Sequence, residues 1–487
     1  MNLMKRVFLP LVFSFLLLAG CNGGKELYRE PAPLIELDVP DGRYCIKTGD
    51  TLTIAPQVRY DRDAVYAWSL NGIIVSTSKI YLFTSSEPGI FLLTFQVSRQ
   101  DVTVSRDIRI EVQKRARPYI YMAVPANGYT IAPDSALILR PVIANGQNGK
   151  YLWTVNSVEV SHDSIYTFSA AIIGTYQLHF SVTTEDGNDR TNFNIHVLEP
   201  SSAGDDPWHE EDPVPPSGKF FRPVQDNSNP DWDVIFEYTP APGQFINERE
   251  TGGFSDEDTP EKAILYAETR LKQGFFVSLG AFGGYIVAGF DHSIANDGGY
   301  NLKISGNAGE NSSEPGIVWV MQDGNGNGLP DDTWYELRGS EHGKEKTLRQ
   351  YHITYFRPRE PGSPVHWIDN LGITGKIDYL GSFHGQDSYY PGWIATDYYT
   401  LRGTRLESRN YLSETGTWIC PPYDWGYVDN NDQVLFRISD AVTSKGNPIH
   451  LEFIDFIKIQ TAVNGKSGWL GEISTEVTRI ADYNMIK

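Results

Sequence analysis

Cysteine is nearly absent, with three residues in 487. Cys21 closes an apolar N-terminal run, which leaves Cys45 and Cys420 far apart, so no disulfide framework is available. Both read as small buried apolar residues rather than nucleophiles. Positive charge is also short: 41 Lys and Arg stand against 61 Asp and Glu, a net charge of −20. Such a chain repels phosphate backbones, and no basic stripe with interleaved aromatics offsets this, so nucleic acid is excluded as a partner. After Cys21 no apolar run is long enough to span a bilayer.

Catalytic signatures are missing as well. There is no His-Glu-x-x-His, no Gly-x-Ser-x-Gly, no P-loop and no zinc-type spacing of Cys and His. Glycosidases pair carboxylates at roughly 5–10 Å, a separation no sequence displays. Asp369, Asp387, Asp397 and Glu407 are candidates only in that general sense, and solvated carboxylates explain them. The chain is expected not to be an enzyme.

What is present begins with Lys5-Arg6, the apolar run Val7 to Leu18 and then Leu18-Ala19-Gly20-Cys21. A basic start, a short apolar core and small residues before a cut make a secretory signal, and the run is too short to span a membrane. The cysteine directly after Leu-Ala-Gly resembles the bacterial lipobox. That resemblance implies a signal peptide over 1–20, acylation of Cys21 and a tether over 21–33. Acyl burial contributes about 0.8 kcal/mol per CH₂, so several chains hold a soluble body on a membrane. Asn22 and Gly23-Gly24-Lys25-Glu26 resemble the release and surface-export signals of Bacteroidetes lipoproteins. The expected location is therefore the outer membrane, lipid-anchored and facing outward.

Aromatics make up 13% of the chain, with 45 Gly and 29 Pro, which favours short strands and turns, and an all-β protein is expected. Self-comparison shows a gap-free repeat of period 85. Tyr66-Ala67-Trp68 matches Tyr151-Leu152-Trp153, and Gly89, Leu93, Phe95 and Val97 match Gly174, Leu178, Phe180 and Val182. Alternation such as Leu93-x-Phe95-x-Val97 puts one face of each strand on a core. The element Tyr-x-Trp-x-x-Asn resembles the PKD-like, Ig-like modules of Bacteroidetes surface lipoproteins, here over 34–115 and 116–198. Trp68 and Trp153 are expected in the sandwich cores. The pair reads as a spacer, or as a weak protein-binding array.

Residues 199–218 mix six acids with five prolines and read as an extended linker. Beyond it, 219–487 holds strand patterns at Phe275–Leu279, Tyr285–Ala288, Ile317–Met321 and Phe453–Gln460, and one helix capped by Thr259 with Pro260 first. The run Ile454 to Gln460 followed by Gly471-Glu472-Ile473 resembles a terminal strand pair of galactose-binding-like jelly rolls. The expectation is two Ig-like sandwiches followed by a larger jelly-roll-like sandwich.

One loop has metal-type spacing. Asp323, Asn325, Asn327, the Leu329 carbonyl and Asp331 occupy alternate positions, as Ca²⁺ loops require. Trp334 stands where an EF-hand has its bidentate Glu, so Asp332 or Glu336 would have to complete the shell. The alternative is a long Gly-Asn turn between two strands. A second feature is aromatic density in loops. Trp367, His384, Tyr389, Tyr390, Trp393, Tyr423, Trp425 and Tyr427 either plug the core or present flat faces to a sugar ring or a corrin macrocycle.

A lipid anchor, two PKD-like modules and a C-terminal module containing Ser313-Glu-Pro-Gly-Ile-Val-Trp319 and Phe383-His384-Gly385-Gln386 resemble cobalamin-binding surface lipoproteins of gut Bacteroidetes. The resemblance implies capture of cobalamin by the C-terminal domain and transfer to a TonB-dependent transporter. The alternative is a glycan-binding lipoprotein of a polysaccharide-uptake system.

Overall fold

The computed structural model describes residues 31–39, 41–199, 218–255, 257–431, 434–467 and 471–487. The signal peptide, Cys21 and all but the ends of the linker lie outside the described residues. Two compact units divide at Ala116 and Arg117. Among the described residues no helix is long and apolar enough to cross a membrane.

The first unit is a sandwich built on a five-stranded sheet. Its order is Arg43–Lys47, Val102–Gln113, Gly89–Arg99, Val65–Leu70, Ile73–Ser76, and the first pairing is parallel. Trp68 is fully buried and packs on Phe95, with ring centroids 4.4 Å apart. Its Nε1 donates to the Ser78 carbonyl at 2.8 Å. Burying an indole requires such an acceptor.

The second unit opens with the same module, 85 residues on. Tyr129–Ile131, Gly187–Val197, Gly174–Thr184, Lys150–Val155 and Val158–Ser161 stand in the same order. Trp153 packs on Phe180 at 4.2 Å and its Nε1 donates to Asp163 at 3.0 Å, again ten residues ahead. The Asn that ends the Tyr-x-Trp-x-x-Asn element has a structural task. Asn71 and Asn156 both sit at φ 49°, the left-handed turn between two strands that Asn tolerates.

The rest of the second unit is a larger β-sandwich. A six-stranded antiparallel sheet runs in the order Val234–Thr239, Tyr285–Ala295, Phe453–Thr461, Gly316–Met321, Tyr335–Leu337, Ala441–Val442. Alternation sorts its two faces. Ile286, Ala288, Val318, Val320, Ile457 and Ile459 pack into one core with Ala263, Tyr266, Ala267 and Leu271 of the helix Pro260–Lys272. Thr259 caps that helix, its side chain accepting from Lys262 N at 3.4 Å. The opposite face carries Lys458, Trp319 and Glu336 in one cross-strand row. A four-stranded sheet of Thr374–Ile377, Val365–Asp369, Leu348–Phe356 and Tyr398–Arg405 is tied to that face. Gln460 Nε2 donates to the Arg402 carbonyl at 2.8 Å, and Thr404 Oγ1 donates to Glu336 at 2.6 Å. The strand expected over Phe275–Leu279 shrinks to Val277–Ser278, because Gly280 and Gly283 bend the chain into a positive-φ turn directly after it.

The second module packs directly against this sandwich. Tyr121, Val142 and Ala144 form a buried cluster with Phe356, and Ile368 and Tyr398 lie against it. The Tyr121 ring stacks on His366 at 5.2 Å, and the Tyr398 hydroxyl donates to the Val124 carbonyl at 3.1 Å. Tyr119 hydrogen-bonds Glu360 at the edge.

Candidate ligand-binding site

A cavity of about 890 Å³ opens where the Lys458 face meets the four-stranded sheet. Volumes of about 300–1,000 Å³ are typical of small-molecule sites. Its lining comes from seven separate stretches: Trp319; Asp331 to Trp334; Arg349, Gln350 and His352; Asn370; Arg402 to Thr404; Ser444; and Lys458.

Lys458 is the centre of this arrangement. It sits on the central strand Phe453–Thr461, directly opposite Trp319. Its Nζ lies 5.0 Å from the Trp319 ring, 5.0 Å from the Trp334 ring and 5.7 Å from the Tyr285 ring. Burial pushes the ammonium down to about 8, with Glu237 pulling the other way. Around it the side chains are fixed. Arg349 donates to the Thr443 and Ser444 carbonyls at 2.9 and 3.1 Å and pairs with Glu336 at 3.4 Å. Burial raises Glu336 while Arg349 and Thr404 hold it down. Burial, and then Arg402, lowers His352, which is therefore a neutral imidazole at pH 7. Two indoles beside guanidinium, amide, imidazole and ammonium groups suit a ligand with a flat body and polar edges.

The aromatic residues singled out from the sequence go elsewhere. Tyr389, Tyr390, Trp393, Tyr423 and Tyr427 are core residues, which corrects the expectation that they form a loop platform. Their polar ends explain the burial. Tyr389 accepts from Leu380 N and donates to the His384 carbonyl, Tyr390 donates to Thr396, and Tyr427 accepts from Glu341 N. Tyr423 donates to Glu407 and lies under Arg409, while Trp393 packs on Tyr238 and Phe254. Trp367 is partly buried over Gly375, where a Cβ would meet the indole at 2.3 Å. His384 packs edge-on against Phe245 at 5.0 Å. Trp425 is 44% exposed and lines a separate cleft of about 610 Å³ with Tyr300 and Arg437.

The oxygen-rich loop is closed by its own hydrogen bonds. Asp323 accepts from Gly326 N and Gly328 N at 2.6 and 2.9 Å, and Asn325 Oδ1 accepts from Asn327 N at 2.9 Å. Asn327 Oδ1 accepts from Leu329 N at 2.8 Å, and Asp332 accepts from Gly324 N at 2.9 Å. The Asn325 and Asn327 amides both donate to Asp331, at 3.0 and 2.8 Å. Glu336 belongs to the pocket row beside Arg349 and does not complete the loop's shell.

Among the described residues, the carboxylates that do converge are Glu314, Asp429 and Glu476, whose oxygens lie within 4.8 Å of one another. Asp429 is held by the backbone N–H groups of Asn307, Ala308 and Glu476, at 2.7, 2.6 and 2.9 Å. Burial raises Glu314 to about 8 and Asp429 to about 6, and pushes Glu476 well above the usual carboxylate range with Glu314 and Asp429 adding repulsion. Three like charges in one buried site hold protons, or a cation, in place of mutual repulsion.

Residues 32–99 and 117–184 each match the family model of the PKD-like domain. No curated protein matches the chain. Among solved structures, the fibronectin(III)-like modules of CbhA from Clostridium thermocellum align at 12% identity over 34% of this chain and 95% of theirs, with a TM-score of 0.22. An I-band fragment of titin aligns at 13% identity over 35% of this chain and 68% of its own, with a TM-score of 0.25. The two N-terminal Ig modules of the Drosophila receptor protein tyrosine phosphatase DLAR align at 12% identity over 34% and 100%, with a TM-score of 0.15. Strand order and family match agree that the chain carries two PKD-like β-sandwiches in tandem, followed by a further β-sandwich.

Proposed function

We propose that this protein is a lipid-anchored outer-membrane surface protein whose C-terminal domain captures cobalamin and passes it to a TonB-dependent transporter, without chemistry of its own. The observation that carries the reading is the cavity of about 890 Å³ in which two indoles stand beside fixed polar groups. A corrin is flat, apolar in its body and edged with amides, which matches rings ringed by Gln350, Asn370, Arg349 and Arg402. Anchoring through Cys21 would hold the pocket outside the cell, with the first PKD-like module giving reach. A structural Ca²⁺ in the Asp323–Asp332 loop belongs to the same proposal, since Asp331 and Asp332 also line the cavity. A glycan is the second reading, favoured by the same pairing of indoles with hydrogen-bonding side chains.

The test is calorimetric titration of the soluble chain from Lys25 with cyanocobalamin and then with a glycan panel, each repeated on Trp334→Ala. Saturable submicromolar heat with cyanocobalamin that Trp334→Ala weakens supports cobalamin capture. Heat with a glycan alone transfers the pocket to the second reading, and heat with neither removes both.

A further inference from the structure

We infer that this pocket recognises an oxyanion: the ligand carries a phosphate, sulfate or carboxylate group that Lys458 holds beside Trp319 and Trp334. The inference rests on the reading of the cavity as a ligand site and names what the ligand must offer there.

The argument is one of unmatched groups. The carboxylates around Lys458 already have partners. Glu237 accepts from the Tyr285 and Thr239 hydroxyls, the latter at 3.0 Å. Glu336 accepts from Thr404 and pairs with Arg349. Asp331 takes both loop amides and Asp332 takes Gly324 N. Lys458 forms no ion pair with any described residue; its near neighbours are three aromatic rings. Trp319 adds a second unmatched donor, because its indole Nε1 is buried without an acceptor. A buried donor left unpaired is costly, and a buried charge more so, unless something completes it. Both residues line the same cavity; the indole lacks an acceptor, and the ammonium lacks a counter-charge.

The surroundings point the same way. Arg349, Arg402 and Lys458 outnumber Asp331 and Asp332 among the charges that line the cavity, in a chain whose net charge is −20. Cations concentrated against the sign of the whole molecule create a local field that draws an anion in. Tetrahedral oxyanions and carboxylates both fit, because an ammonium binds as a point charge with three donors and sets no planar geometry.

Two sources of such a group fit the proposed readings, the phosphodiester of cobalamin and the sulfate or uronate of an acidic glycan. The first experiment uses inorganic sulfate and phosphate, titrated into the soluble full chain at constant ionic strength with melting temperature and calorimetric heat as readouts. Both ions are expected to saturate on the parent and on Lys458→Arg, and to give no response on Lys458→Met. Lys458→Met should fold at least as well as the parent, since it removes a desolvated charge. Equal saturation on Lys458→Met, or no saturation on the parent, overturns the inference. A second pair of arms separates the sources. Cyanocobalamin should bind about tenfold or more tighter than dicyanocobinamide, which lacks the phosphodiester, or a sulfated disaccharide should exceed its desulfated form by a similar factor. Cobalamin binding that survives Lys458→Met intact sinks the anion and leaves the ligand reading. Sulfate saturation at Lys458 with no binding of cobalamin or glycan does the reverse.

Discussion

Lys458 gives the pocket a pH limit of its own. An exposed lysine keeps its charge to about pH 10.4, whereas burial brings this one down to about 8. An anion needs the charged form, so its affinity should hold near pH 7 and fall steadily as pH climbs through about 8. The groups that face Lys458 do not counter this trend. Glu237 and Glu336 already accept hydrogen bonds, burial raises the Tyr285 hydroxyl well above its ordinary value, and His352 is already neutral. Sulfate titrations from about pH 6.5 to about pH 9.5 check the point, and an affinity flat across that range contradicts it. The residue was only half legible beforehand. Lys458 is one of two charges, with Asp455, that interrupt the apolar run Phe453-Ile-Asp-Phe-Ile-Lys-Ile-Gln460, and that interruption was the available signal. Its partners were not available, because Trp319, Trp334, Arg349 and Arg402 are brought in by four other stretches of chain. The misread tyrosines show the converse. Tyr389 and Tyr390 sit beside turn residues, yet each hydroxyl finds a backbone carbonyl within the fold, so loop position did not imply exposure.

At the scale of strands and loops, patterns carried by neighbouring residues were legible and patterns assembled from distant ones were not. The 85-residue repeat, the Trp at each module's centre and the Thr259 cap all depend on local periodicity, and all three stand in the structure. The carboxylate cluster depends on three loop ends. Glu314 precedes the strand Gly316–Met321, Asp429 lies at φ 56° in a turn, and Glu476 opens the short strand Glu476–Val477. Nothing in their spacing announces that they meet. Their linkage to stability runs opposite to that of an ordinary ion-paired carboxylate. A folded-state value raised above the unfolded one favours the fold fully below about pH 4.5, and the benefit is lost as pH rises through about 6 for Asp429 and about 8 for Glu314. Glu476→Gln imitates the protonated form at every pH. The variant's melting temperature relative to the parent should therefore increase from about pH 5 to about pH 8.5, as thermal unfolding in matched buffers would register. A difference that stays constant with pH would mean that the cluster carries no trapped proton.

At the scale of the molecule, the second PKD-like module belongs to the C-terminal body. The sequence suggested two equivalent spacers because the repeats are equivalent in their cores, and the features that distinguish them lie on one module's surface. Tyr121, Val142 and Ala144 form an apolar patch that covers Phe356 and meets His366 and Tyr398. Tandem modules normally touch through smaller, more polar contacts, so an apolar docking face makes the pair one stability unit. Burial holds His366 down to about 4, which means the docked state resists protonating it. Its contribution is complete above about pH 6.5 and lost as pH falls toward about 4, an acid-side weakening that the carboxylate cluster does not share. A soluble chain beginning at Arg117 should unfold in a single transition near neutral pH. One beginning at Gly218 exposes Phe356 and Tyr398 and should melt lower, by about 2–4 °C for a loss of about 1–2 kcal/mol in a domain of this size. Tyr121→Ala in the longer chain should reproduce much of that loss, and acidification below about pH 6 should narrow the gap between the two chains. Identical melting temperatures for the Arg117 and Gly218 chains would return the second module to the part of a passive spacer.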